Sequence, residues 1–236
     1  MKKFFVLAGA VVISSSLLAQ KPSSSDAKYS LEGNINYDAT NGFSWTAPNL
    51  RARYFVNDNI AARVQLGLGS SSDKSLYYAA SDSTFSSPGS IVDKSSSWTM
   101  QLGAEYHLKG TDKLSPYFMA GVNFGGMSMS TKGTNVDEIM DPIDDAIFED
   151  GSTHEMKTSS SMFGIGLGAG MDYYIFDNVY LGLELGWGWS KINDKGGSFS
   201  SVTTGGSSEG DIPSMGSNSN MGTGAMNTAF RIGWRF

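Results

Sequence analysis

Between Val179 and Trp189 the sequence runs VYLGLELGWGW. Val179, Leu181, Leu183, Leu185, Trp187 and Trp189 take every second place, and Tyr180, Gly182, Glu184, Gly186 and Gly188 take the rest. Successive side chains of a strand point to opposite faces, so this segment predicts a strand with one apolar face and one face of glycine and polar groups. A soluble sheet hides its apolar face against a second layer, whereas a membrane barrel turns it outward to lipid.

The pattern recurs. Tyr29 to Tyr37, Leu50 to Tyr54, Ile60 to Leu68, Trp98 to Leu108, Phe118 to Phe124, Phe163 to Tyr173 and Met226 to Phe236 all alternate in the same way, making eight segments with the first. Most approach the roughly 9–11 residues that a tilted strand needs to cross a membrane. Pro48 has no N–H to give a ladder, which predicts a bulge or a late start at the second strand.

The connections are sorted by length. Val56 to Asn59, Lys109 to Ser115 and Ile175 to Asn178 are short, while Ser70 to Lys94, Gly126 to Ser161 and Ser190 to Met221 are long. Apart from the brief stretch Ala39 to Gly42, short turns fall on one side and long loops on the other, the arrangement of outer-membrane barrels. The serine- and glycine-rich loops around Ser70 and Ser198 are expected to be mobile. Residues Val136, Ile139, Met140, Ile143 and Ile147 recur at helical spacing among acids, which predicts a short amphipathic cap interrupted by Pro142. The aromatics on the apolar face collect near strand ends, as an interfacial girdle requires.

Composition narrows the class further. Lys2, Lys3 and the apolar run FFVLAGAVVI, with Ala19 as the cleavage position, read as an export signal over residues 1–19. A short periplasmic segment, 20–27, and a barrel domain, 28–236, are expected to follow. The formal net charge of −6 argues against a nucleic-acid partner. The absence of cysteine removes disulfides and thiolate metal sites, and no cofactor is expected.

On these residues the chain resembles the small eight-stranded outer-membrane barrels, namely the OmpA transmembrane domain, OmpX and the outer membrane protein beta-barrel family, over Lys28 to Phe236. Phe230, Ile232, Trp234 and Phe236 match the aromatic C-terminal strand that in this family resembles the signal read by the barrel-assembly machinery. The resemblance implies an all-β, up-and-down antiparallel transmembrane barrel of the Gram-negative outer membrane, with both termini periplasmic. The partners it implies are the assembly machinery, outer-membrane lipid and lipopolysaccharide.

The face opposite the apolar one carries Glu32, Glu105, Asp172 and Glu184 against Arg51, Arg53, Arg63 and Arg231. Four acids face four bases in the half of each strand next to the short turns, with Arg235 and His107 at the rim. Glycines such as Gly67, Gly121, Gly164 and Gly188 line the other half. An eight-stranded barrel is just wide enough for side chains to fill, so this balance predicts a salt-bridged plug below a roomier cup. The expected role is structural or surface-interacting, and non-enzymatic. The alternative is a narrow channel or carrier of small or apolar solutes. A lipid-modifying enzyme would need a serine and an acid within reach of His107 or His154, the two histidines present. The acidic stretch from Asp137 to Glu155 lacks the spacing of a calcium-binding helix–loop–helix and reads as a solvated loop.

Overall fold

The computed structural model describes residues 21–38, 42–77, 88–137, 139, 148–222 and 229–236. Its strands are β1 (Tyr29–Asp38), β2 (Gly42–Phe55), β3 (Ile60–Tyr77), β4 (Gly89–His107), β5 (Leu114–Val136), β6 (Phe148–Tyr174), β7 (Val179–Thr203), β8 (Gly206–Ile212), β9 (Ser217–Gly222) and β10 (Ala229–Arg235). Each of β1 to β7 pairs antiparallel with the next. β10 pairs with both β7 and β1, which closes the ring. The wall has eight positions: β8, β9 and β10 share the last, β8 beside the far end of β7, β9 beside its middle and β10 beside its short-turn end. The closure runs to the last residue, with Tyr29 N–H donating to the Phe236 carbonyl and Phe236 N–H to the Tyr29 carbonyl, each at 2.8 Å.

The burial pattern is inverted relative to a soluble domain. Leu66, Leu102, Leu167, Leu185 and Phe230 are exposed, whereas Glu32, Arg51, Arg53, Arg63, Glu105, Asp172, Glu184 and Arg231 are buried. The apolar face is therefore the outside of the ring. Its aromatics form contacts at both edges of the band. At the short-turn edge, Tyr29 stacks near Tyr54 and Phe236, and Trp234 near Phe236. At the other edge, Phe124, Phe163 and Trp189 form a chain of ring contacts. Trp98 lies over Gly126, where an added Cβ would meet its Nε1 at 2.7 Å. The side chain of Tyr37 lies outside the described residues.

The irregularity expected at Pro48 is present. Gly33 faces Leu50 but Ile35 faces Trp45, so residues 46–49 of β2 have a single residue of β1 opposite them.

The long connections differ from expectation. Most of the residues read as loops continue the ladders, so β3 to β7 run for 18 to 27 residues. Ser70 sits within β3 and Ser198 within β7, both paired rather than in mobile loops. Outside the lipid both faces of a strand are wet, so no apolar alternation marks it. The ladder rests on backbone pairing and on cross-strand contacts such as Ser71–Ser95 (2.9 Å) and Thr131–Asp93 (2.5 Å). The predicted amphipathic helix lies largely outside the described residues. Val136, its first member, belongs to β5 and packs with Ile91 and Ile139 in a small cluster at the hairpin end.

Residues 21–27 cross the short-turn end and are tied to three parts of the wall. Lys21 N–H donates to the Asp112 carbonyl at 2.5 Å, Ser24 N–H to Asp58 Oδ1 at 2.7 Å, and Arg235 Nε to the Ala27 carbonyl at 2.9 Å. The signal segment 1–19 lies outside the described residues.

The Ser24 backbone N–H, aided by its side chain, holds the Asp58 carboxyl below the usual carboxylate range. A carboxylate depressed on folding stabilises above its unfolded pKa, and that contribution is lost as the pH falls through the folded value. The N-terminal strap is therefore expected to stay docked at neutral pH and to loosen in acid. Hydrogen exchange of the Ser24 amide, corrected for its intrinsic rate, should lose protection below about pH 4. Asp58→Asn should flatten that dependence, and protection that ignores pH in the unmodified protein would remove the strap's carboxylate anchor.

Candidate functional site

The inward faces of β1 to β7 and β10 meet in the half of the barrel next to the short turns. Strand alternation brings Ser30, Glu32 and Asn34 inward from β1, Arg51 and Arg53 from β2, Arg63 and Gln65 from β3, and Gln101, Glu105 and His107 from β4. Tyr117 and Asn123 come from β5, Asp172 and Tyr174 from β6, Tyr180 and Glu184 from β7, and Arg231 and Arg235 from β10.

All eight of the charged residues predicted for the interior come together in one network. Arg51 donates to Glu184 at 3.0 and 3.1 Å and to Gln65 at 2.9 and 2.7 Å. Arg53 contacts three carboxylates: Glu32 at 2.5 Å, Glu105 at 2.8 Å and Asp172 at 2.8 Å. Arg63 bridges Glu105 at 3.2 Å and Glu184 at 2.8 Å, and also donates to Gln101. Arg231 meets Glu32 at 2.5 Å and Asp172 at 3.4 Å. A lone buried charge costs several kcal/mol, so a fully buried set of four arginines persists only because each finds carboxylates at hydrogen-bond range.

Two tyrosines belong to the network although the charge pattern did not single them out. Tyr117 Oη donates to Glu184 at 2.6 Å and accepts from Arg231 Nη2 at 2.5 Å. Tyr180 donates to Glu32 at 2.9 Å. The signal was available, because both occupy inward places in their alternating segments. His107 has a serine and an acid within reach, Ser115 at 3.0 Å and Glu105 at 3.1 Å, but all three are buried and Glu105 is bound by Arg53 and Arg63, so the set belongs to the network; Gln101 donates to Asn123 at 2.8 Å. At the rim, the Arg235 guanidinium lies 3.6 Å from the Phe55 ring centre.

Glycine makes room for these groups. A Cβ on Gly170 would lie 2.4 Å from the Tyr117 ring, one on Gly182 would lie 2.7 Å from Arg231, and one on Gly233 would lie 2.2 Å from the Tyr180 ring. Each of these three large inward side chains thus lies across a glycine of the wall. This large-against-small matching is how a narrow barrel fills its interior. Glycines were expected to line the other half, and they do this second job in the charged half.

The two histidines serve different surroundings. His154 sits at the hairpin end, where Nδ1 contacts Ser201 Oγ at 2.9 Å and Nε2 contacts the Val136 carbonyl at 2.8 Å. Its neighbour in sequence, Glu155, pairs instead with Lys157 at 2.8 Å. A backbone carbonyl occupies the place an orienting acid would take, and the surrounding space is filled by Val136 and Ile139. The contact ties β6 to β5 and β7. Among the described residues, no group of three or more His, Cys, Asp or Glu side chains is placed to hold a metal ion.

Tyr117→Phe keeps the ring and removes the bridging hydroxyl, which should cost about 1–3 kcal/mol. Glu184→Ala leaves Arg51 and Arg63 short of a carboxylate and should cost about 3–5 kcal/mol. Urea unfolding of the protein reconstituted in lipid vesicles reads both. Midpoints unchanged by either substitution would contradict the network.

The family described as outer membrane protein beta-barrel domain matches residues 5–226. The structure is similar to a major outer membrane protein of Thermus thermophilus, with 12% identity, TM-score 0.41, and 89% of this chain and 99% of that one covered. It is also similar to the N-terminal β-barrel domain of Pseudomonas aeruginosa OprF, with 15% identity, TM-score 0.31 and coverage of 89% and 98%. A third likeness is to Outer Membrane Protein W of E. coli, with 14% identity, TM-score 0.32 and coverage of 89% and 98%. None of the curated proteins matches the chain. With a closed antiparallel ring, an outward apolar band and a family match across most of its length, the chain belongs to the outer membrane protein beta-barrel domain family.

Proposed function

We propose that this protein is a closed, non-enzymatic barrel whose interior ion pairs seal the end next to the short turns, and whose long hairpins are its working surface outside the cell. The observation that carries the reading is the span of the network. Arg53 from β2 reaches carboxylates on β1, β4 and β6, and Arg51 from β2 reaches β7, so the contacts cross the lumen rather than line it. The strap of residues 21–27 lies beneath it. The reading takes the short turns to face the periplasm and the long connections to face outward, as in outer-membrane barrels generally, with both ends of the barrel domain then periplasmic.

A gate is the second reading. Arg63 shares Glu105 and Glu184, and Arg51 lies 3.6 Å from Glu32 while bonding Glu184, so each of these two arginines has a second partner ready. Exchange of partners would open a path without stranding a charge.

Planar-bilayer recording of the refolded protein separates the two. The closed barrel predicts no steady conductance steps in the unmodified protein, and rare, unstable steps in Arg63→Ala or Glu105→Ala. Stable openings in the unmodified protein, altered by either substitution, would replace the seal with a gate.

A further inference from the structure

From the outward aromatic edge upward, the inward wall of β5 and β6 is rich in methionine. Met127 and Met129 on β5, and Met156 and Met162 on β6, all take inward places, with Met127 opposite Ser160 and Met129 opposite Thr158. Lipid does not reach an inward place, yet Met127 is 43% exposed and Met129 51%. Met215, on the turn between β8 and β9, is 92% exposed. Single exposed apolar side chains are ordinary, whereas a group of them around one concavity marks a binding site.

These three methionines share one cavity. Met127, Met129, Met215, Thr158, Ser160 and Ile212 line a space of about 290 Å³. Asp194 also borders it and fixes the turn that carries Met215. Its carboxylate accepts the Gly196 N–H at 2.8 Å and the Met215 N–H at 3.0 Å. Its own N–H donates to the Gly216 carbonyl at 2.9 Å, and Ser214 Oγ donates to its carbonyl. Four contacts thus hold residues 213–216 against β7, so Met215 is presented to the cavity by a built turn rather than by a free chain.

We infer that this cavity binds a soft monovalent cation, Cu(I) or Ag(I), through the sulfurs of Met127, Met129 and Met215. Thioethers are soft donors and select such ions over hard ones. Met127 and Met129 stand two places apart on one face, with Cα atoms about 7 Å apart, and the three rotatable bonds of each side chain let both sulfurs reach a common point. The third sulfur comes from the turn that Asp194 holds. Harder ions are poorly served here. The carboxylate at the cavity already accepts a backbone N–H on each oxygen, and no histidine lines the cavity among the described residues. The absence of cysteine removes thiolate sites but not thioether ones. The cavity lies above the charged network, so the inference stands whether that network seals or gates.

Calorimetric titration of the full chain, refolded in non-ionic detergent and chloride-free nitrate buffer, with Ag(I) tests this. One ion should bind per chain. Its affinity should hold between about pH 5 and 8, the range in which histidine titrates, because a thioether has no proton to lose. Leucine is close to methionine in volume, so Met127→Leu, Met129→Leu and Met215→Leu should keep the urea unfolding midpoint. Each should weaken Ag(I) binding by more than the roughly tenfold that loss of an outer-shell partner costs, and the triple variant should abolish it. Asp194→Asn, which loosens the turn, should cost about that tenfold. Met100→Leu with Met221→Leu, both at outward places, should change nothing. Four results would each overturn the inference: no binding of Ag(I), undiminished binding by the triple variant, equal loss in the outward pair, or an affinity that collapses in acid as a histidine site's does.

Discussion

Every feature of this molecule follows from the impossibility of leaving a peptide group unpaired in hydrocarbon. An unsatisfied N–H or C=O there costs several kcal/mol, so a sheet that enters lipid must close on itself. The hydrogen bonds between Tyr29 and Phe236 mark that closure at the first residue of β1 and the last of the chain. The apolar C-terminal strand is therefore not an end left over. It is the second edge of the seam.

Closure with eight wall positions then creates the second constraint. The ring is too narrow for a wide water column and too polar inside to collapse, because the apolar faces have been turned to lipid. The interior must be filled by groups that satisfy one another. Arginines with two or three carboxylates each, tyrosines bridging acid and base, and glycines beneath the largest side chains meet that demand together. Removing one partner is costly for the same reason the assembly persists, since the remaining charge has no water to return to.

Much of this was legible in the sequence because lipid imposes a strict period. The alternation in VYLGLELGWGW separated inside from outside residue by residue, and Arg51, Arg53, Arg63 and Arg231 fell on the inward side with their acids. Tyr117 and Tyr180 were legible by the same parity, but reading charge alone passed over them. Beyond the membrane the signal fades for a physical reason. Strands such as Ser70 to Tyr77 or Lys191 to Thr203 have water on both faces, so they read as loops although they pair along their length. The docking of the strap of residues 21–27 was illegible too, since its anchors are the Asp112 carbonyl, Asp58 and Arg235, which no pattern ties to that segment.

The central claim is that the charged layer bars passage between the two ends of the barrel. The chain has no cysteine, so one can be introduced cleanly. Ser97 occupies an inward place above the network, level with Gly69 and Met127. Ser97→Cys, reconstituted in vesicles with a single orientation, can be challenged with a membrane-impermeant maleimide from either side. The account predicts rapid labelling when the reagent is on the hairpin side and none when it is on the short-turn side. Labelling at similar rates from both sides would mean that the ion pairs line a passage rather than close one.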